Sequence, residues 1–144
     1  RLFNLSGPYI NKLDSYALGS FIQQARKGQI AIRAAHPVIR SYTSAANLLA
    51  VAFGQLLVEQ GAPYLCVETA GKQETEMGEL AAAVRDTVAP DAVIQRTTLN
   101  ASPVDRYVGD GTAYRRMLAD YDIAEHSLQQ QIIDTADYLA RLGA

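Results

Sequence analysis

The sequence has one cysteine, no tryptophan and only three lysines, at positions 12, 27 and 72. A lone Cys66 excludes an internal disulfide framework and any cysteine-built zinc site, and it suits a reducing compartment. The longest apolar stretch, Ala45 to Val58, is broken by Asn47, Gly54 and Gln55, and it falls short of the roughly 20 residues that a membrane helix requires. Positive charge is also in short supply. A formal net charge of −2 and a pI of about 5.6 leave no overall field to hold a nucleic-acid backbone. We therefore expect a cytoplasmic protein with neither nucleic acid nor membrane as partner. No signal peptide or initiator Met opens the chain: Arg1-Leu2-Phe3-Asn4 already reads as an apolar strand, which leads us to expect a natural N-terminal portion before it.

What is present is a globular composition, 49% hydrophobic and 19% charged over 144 residues, enough for one domain with a buried core. No repeat or low-complexity linker divides it. Arg1 to Leu5 reads as the end of a buried strand leading into the turn Ser6-Gly7-Pro8. Asp14 or Ser15 can cap a helix carrying Leu18, Phe21, Ile22 and Ala25 at helical spacing, closed by Gly28. Ile30 to Ile32 and Val38 to Thr43 follow as strands around the turn at His36-Pro37.

Ser44 can cap a helix to about Glu59, apolar nearly all round and so expected between layers. Pro63 to Glu68 is a continuous apolar run of the kind found in parallel strands covered on both faces. Cys66 within it is expected to be an inert core thiol. Thr75 is the expected cap of a helix with Met77, Leu80, Ala81 and Val84 inward, and Ala92 to Ile94 forms another strand. Helices from about Thr112 to Asp120, and over Leu128, Ile132, Ala136 and Leu139, complete an alternating α/β pattern. Glu74, Glu76 and Glu79 gather at a helix start, where carboxylates favour the positive end of the dipole. His36 and His126 have unrelated neighbours and suggest no metal site.

Three segments carry a resemblance. Phe3-Asn4-Leu5-Ser6-Gly7-Pro8-Tyr9 is similar to the F-N-x-Y-G-P segment of extended short-chain dehydrogenases, the family of the NAD-dependent nucleotide-sugar epimerases and dehydratases. Ile39-Arg40-Ser41-Tyr42-Thr43-Ser44-Ala45-Ala46-Asn47-Leu48 resembles its I-R-D-(F/W)-x-Y-V-x-D-(V/L) segment. Val104 to Asp110 resembles its D-x-R-x-Y-x-x-D segment. The three stand in the family's order and span most of the chain. Ser41, Ser44 and Asn47 depart from the usual acid, aromatic and Asp, and His36-Pro37 replaces a turn usually rich in Gly.

Two family motifs are absent from these residues. No three of the ten glycines have the spacing of the dinucleotide loop, and none of the eight tyrosines has a lysine four residues on. The glycine loop matters because it lets backbone amides at a helix N-terminus approach the pyrophosphate. The resemblance thus implies the C-terminal portion of a Rossmann-type parallel sheet plus a small α/β substrate-binding lobe. Residues 1–13 and 44–91 would be Rossmann-associated, and 14–43 and 92–144 would form the lobe. It implies NAD or NADP in the intact parent, with none expected on this chain alone, and as partners a nucleoside-diphosphate sugar and the missing N-terminal half. The open edges of the strands expected at Arg1 to Leu5 and Tyr64 to Glu68 lead us to expect a homo-oligomer that covers them.

The resemblance places Arg40 and Arg106 beside the nucleotide diphosphate, whose oxygens a guanidinium can bind in pairs; the plain structural alternative is that Arg40 pairs with a surface acid and Arg106 bridges to Asp105 or Asp110. It places Asn4 on the substrate, with Asn4 bonding to the Ser6-Gly7 turn as the plain structural alternative. Tyr9, Asn11 and Lys12 fall in a loop that in relatives passes near the sugar and the nicotinamide. No catalytic residue is assigned. A carbonyl-reducing relative and a non-catalytic interaction domain are the alternative functions.

Overall fold

The computed structural model describes residues 1–57 and 64–143. In chain order the elements are β1 (Asn4–Ser6), α1 (Ala17–Arg26), β2 (Gln29–Ile32), β3 (Val38–Ser44), α2 (Ala45–Leu56), β4 (Glu74–Glu76), α3 (Met77–Val88), β5 (Val93–Arg96), β6 (Asp105–Tyr107), α4 (Thr112–Asp120) and α5 (Leu128–Arg141).

β3 is the hub of the larger sheet. β1 runs parallel to its end, Asn4 opposite Tyr42 and Ser6 opposite Ser44. β6 runs parallel to its beginning, Ile39 opposite Arg106 and Arg40 opposite Tyr107. β4 runs antiparallel along Ile39–Ser41. β2 and β5 form a separate parallel pair.

Helical spacing puts Leu18, Ile22, Leu80, Val84, Ile132 and Leu139 into one core between α1, α3 and α5, closed by Ile30, Ile32, Val38 and Tyr42 from the strands. A smaller core joins Val51 of α2 to Tyr114 and Leu118 of α4. Each core draws on both groups of residues distinguished in the sequence. Burial holds the Tyr114 phenol up at about 12, with the Glu125 carboxylate adding to the shift.

Several expectations need correction. Tyr64 to Glu68 is not a strand: among the described residues it meets Arg1 and Leu2 through the bonds of Arg1 with Val67, Glu68 and Thr69 and the single bridge Leu2 to Thr69. Cys66 is accordingly exposed and not a core thiol. Pro63, which began that expected strand, and Val58 and Glu59, which ended the expected α2, lie outside the described residues. α2 is not enclosed between layers, because only Asn47 and Val51 of it are buried.

α1 begins at Ala17 with no side-chain cap, because Tyr16 and not Asp14 or Ser15 stands at the cap position, after a turn in which the Ser15 and Tyr16 N–H groups donate to the Lys12 carbonyl. Thr75 lies in β4, and α3 is capped instead by Glu76 and Glu79 in a reciprocal capping box. Ser44 caps α2 as expected. Among the described residues no helix is long and apolar enough to cross a membrane.

Candidate functional site

Side chains alternate across a strand, and residues paired across a ladder share a face. The β3 register therefore gathers Asn4, Tyr42, Arg40 and Tyr107 on one face. Arg106, opposite Ile39, falls on the other face with Glu74, which is opposite Ser41. The two expected diphosphate arginines thus stand on opposite sides of the ladder.

Each has a carboxylate. Arg40 binds Asp105 through both ends of the carboxyl, Nη2 to Oδ2 at 2.7 Å and Nη1 to Oδ1 at 3.1 Å. Arg106 makes a two-pronged pair with Glu74. The Arg40 guanidinium holds the Asp105 carboxyl below the usual carboxylate range. Asn4 does not serve the turn after β1. Its Nδ2 donates to the Ser41 carbonyl at 3.1 Å, tying β1 to β3. Burial raises the Tyr42 phenol far above its ordinary value, against a smaller opposing effect of Arg40.

The turn that leaves β1 opens a cleft of about 510 Å³ lined by Leu5, Gly7, Tyr9, Asn11, Ala45 and Leu49 among others. Gly7 has a φ of 109° and Tyr9 a φ of 68°, left-handed values that cost a tyrosine more than a glycine. The turn is fixed from behind by α5. The Gly7 N–H donates to Thr135 Oγ1 at 2.8 Å, and Ser6 Oγ is bonded to Gln131 Oε1 at 2.5 Å. Gln131 in turn donates to the Tyr42 and His126 carbonyls. Tyr9 projects outward, 83% exposed, with its ring 5.1 Å from that of Tyr138. Tyr9 and Asn11 thus line the cleft; Lys12 does not, and its carbonyl closes the turn before α1.

A second cavity, about 580 Å³, lies between α1 and β2 and includes Gln24, Lys27, Arg33, Val38 and Met77 in its walls. Gln24 Oε1 accepts the Ala31 N–H there at 2.8 Å.

The only serine–histidine–aspartate grouping among the described hydrogen bonds and ion pairs does not form a proton relay. Ser44 Oγ and Asp134 Oδ2 both approach the same ring nitrogen, His126 Nδ1, at 3.3 and 3.2 Å. A relay needs base and orienting acid on different ring nitrogens. Among the described residues no group of three or more His, Cys, Asp or Glu is placed to hold a metal ion.

The acid partners differ from those the sequence suggested: Asp105, adjacent to Arg106, pairs instead with Arg40, and Glu74, legible only as an acid at a helix start, takes Arg106. Both pairings depend on the β3 register, and Gln131 was not foreseen at all. Gln131 sits on the inward face of α5, a polar residue in an apolar stripe, which was the available signal.

No protein-family model matches the chain, and no curated protein matches it. Solved structures do. The UDP-glucuronic acid 4-epimerase from Bacillus cereus, in complex with UDP-glucuronic acid and NAD, superposes with a TM-score of 0.76 at 15% identity, over 99% of this chain and 44% of that one. The UDP-glucose 4-epimerase from Thermotoga maritima with UDP-glucose gives 0.74 at 15% identity, over 100% and 46%. TunA, an NAD-dependent NDP-hexosamine 5,6-dehydratase involved in tunicamycin biosynthesis, gives 0.73 at 13% identity, over 97% and 44%. The chain spans less than half the length of these proteins. Its fold is that of the C-terminal part of Rossmann-type NAD-dependent nucleotide-sugar epimerases and dehydratases.

Proposed function

We propose that this chain is the substrate-binding part of an NAD- or NADP-dependent nucleoside-diphosphate-sugar epimerase or dehydratase. The observation that carries the reading is the placement of Asn4 and Arg40 on one face of β3, in a fold whose solved counterparts include enzymes holding UDP-sugars. In this reading Arg40 meets the diphosphate, and Asn4 sets a polar contact at the end of β1, where open α/β sheets take their ligands. Tyr9 and Asn11 border the cleft that receives the sugar. Arg106, on the far face of the ladder and paired with Glu74, takes no part in this diphosphate contact.

These residues do not fit a dinucleotide cradle. Gly109 and Gly111 lead into α4, but no third glycine follows at the dinucleotide-loop spacing and both are packed tight, Gly109 against Phe3 and Gly111 against the Ala70 carbonyl. Among the described helices the N-termini of α2, α3 and α5 are closed by the side chains of Ser44, Glu76 and Ser127. The nicotinamide cofactor, which would supply the transient oxidation of the sugar, belongs in this reading to an N-terminal half that also brings the catalytic acid and base.

The test is turnover by the full-length protein that carries this chain, supplied with NAD and a panel of UDP- and dTDP-hexoses, with products separated by chromatography and weighed. A mass-neutral epimer or a product lighter by one water supports the proposal. Conversion of none of the panel, with no binding of any nucleotide sugar, would refute it in favour of an interaction domain.

A further inference from the structure

Arg40 is held by part of its donor set only. Nη1 donates to the carbonyls of Ile39 at 2.9 Å and Asp105 at 3.0 Å, and approaches Asp105 Oδ1. Nη2 donates to Asp105 Oδ2. A guanidinium carries five N–H donors in a rigid plane. The Asp105 carboxylate takes the end of that plane and the backbone carbonyls take the remaining Nη1 hydrogen. The side edge, made by Nε and the second Nη2 hydrogen, has no partner among the described residues. The Arg40 side chain keeps 20% of its surface exposed, and these edge N–H groups are its unengaged donors.

Asp105 is itself well anchored. Its N–H donates to the Pro37 carbonyl at 2.9 Å, its carbonyl accepts from Arg40, and it begins β6, paired in register with Val38 of β3. The carboxylate therefore moves with the hub strand rather than with a free loop.

We infer that Asp105 is a positioning residue: it fixes the Arg40 guanidinium by its end so that the Nε–Nη2 edge is presented to a pair of phosphate oxygens. This rests on the reading of the chain as a nucleotide-sugar binder. The consequence is unusual for an acid beside a phosphate site. An Asp that merely occupied the phosphate position would weaken binding, and its removal would tighten it. An Asp that sets the plane of the guanidinium strengthens binding despite its like charge, because an orientated fork makes two charge-assisted bonds where a free one makes fewer. The neutral Arg40–Asp105 pair also selects by shape rather than by net charge.

The experiment uses the full-length protein and two probes, UDP and uridine, titrated calorimetrically into wild type, Asp105→Asn, Asp105→Glu and Arg40→Ala. Uridine lacks the phosphates and reports whatever the substitutions do to the rest of the site. Asp105→Asn should weaken UDP about tenfold and leave uridine unchanged. Asp105→Glu, which keeps the charge on a longer arm, should lose less. If Arg40→Ala weakens UDP while Asp105→Asn leaves it unchanged or tighter, the positioning role is overturned and the nucleotide-sugar reading stands. Equal weakening of UDP and uridine by Asp105→Asn overturns it too, since Asp105 would then act on the fold alone. Unchanged UDP affinity in Arg40→Ala removes the reading on which both depend.

Discussion

Glu76 shows how much one side chain is asked to do in this chain. It caps α3 by accepting from the Gly78 N–H, accepts the Val38 N–H of β3, and binds Arg96 of β5 through both oxygens at 2.6 and 2.7 Å. It thus joins the two sheets and a helix. Hydrogen bonding from Arg96, the largest influence, with further help from the Gly78 and Val38 N–H groups, lowers its carboxyl from the usual 4.5 to about 2.

A carboxyl whose native pKa is depressed holds its proton more readily unfolded, so the stabilisation is complete above about pH 4.5 and is lost as pH falls toward 2. Glu76→Gln should therefore cost about 1–2 kcal/mol at neutral pH, after allowance for solvent screening, and the difference from wild type should shrink steadily below about pH 4.5 and vanish only as pH falls through about 2. Urea unfolding of both proteins across that range reads it directly. A difference that stays constant with pH would show that the charge of Glu76 contributes nothing. The sequence revealed Glu76 as one acid of three near a helix start. It did not reveal the Arg96 partner, which follows from the packing of α3 against β5.

At the scale of elements, α4 and the inward residues of α5 and α3 were legible because each helix keeps one apolar stripe at a 3.6-residue period. β3 was legible because β-branched and aromatic residues fall between clear turn signals. Tyr64 to Glu68 was misread because an apolar run becomes a strand only where another strand pairs with it, and here just Arg1 and Leu2 lie alongside. α2 carries the related lesson. It is apolar on two sides, but only the side facing α4 is covered. Leu49, Phe53 and Leu56 remain 54%, 61% and 78% exposed along one stripe.

Such a stripe seeks a partner in water. In the proposed parent the cofactor-binding half would cover it; without that half a second copy is the available cover. Light scattering of the 144-residue chain alone should give a mass that rises with concentration, and Phe53→Glu should return it to that of one chain. A concentration-independent monomer in the unsubstituted chain would contradict this use of the stripe.

For the whole molecule, the likeness to epimerases and dehydratases was legible in three short segments while overall identity to the solved structures is only 13–15%. Those segments lie on β1, on β3, and on β6 with its following loop, and they meet at the hub strand. Local sequence could reveal them because each is continuous along one strand or turn. It could not reveal that Arg40 and Arg106 fall on opposite faces, since that depends on the pairing Ile39 with Arg106 and not on either segment alone.

In the proposed function the β3 face bearing Arg40 binds a nucleoside diphosphate joined to a sugar. Calorimetric titration of UDP-glucose or UDP-glucuronic acid into the full-length protein, wild type beside Arg40→Ala and Arg40→Lys, tests it most directly. The account predicts that Arg40→Ala loses about 1.5–3 kcal/mol of binding, the range for hydrogen bonds to a charged group, and that Arg40→Lys recovers only part, because an ammonium cannot reproduce the paired geometry. Equal affinities for wild type and Arg40→Ala would contradict it.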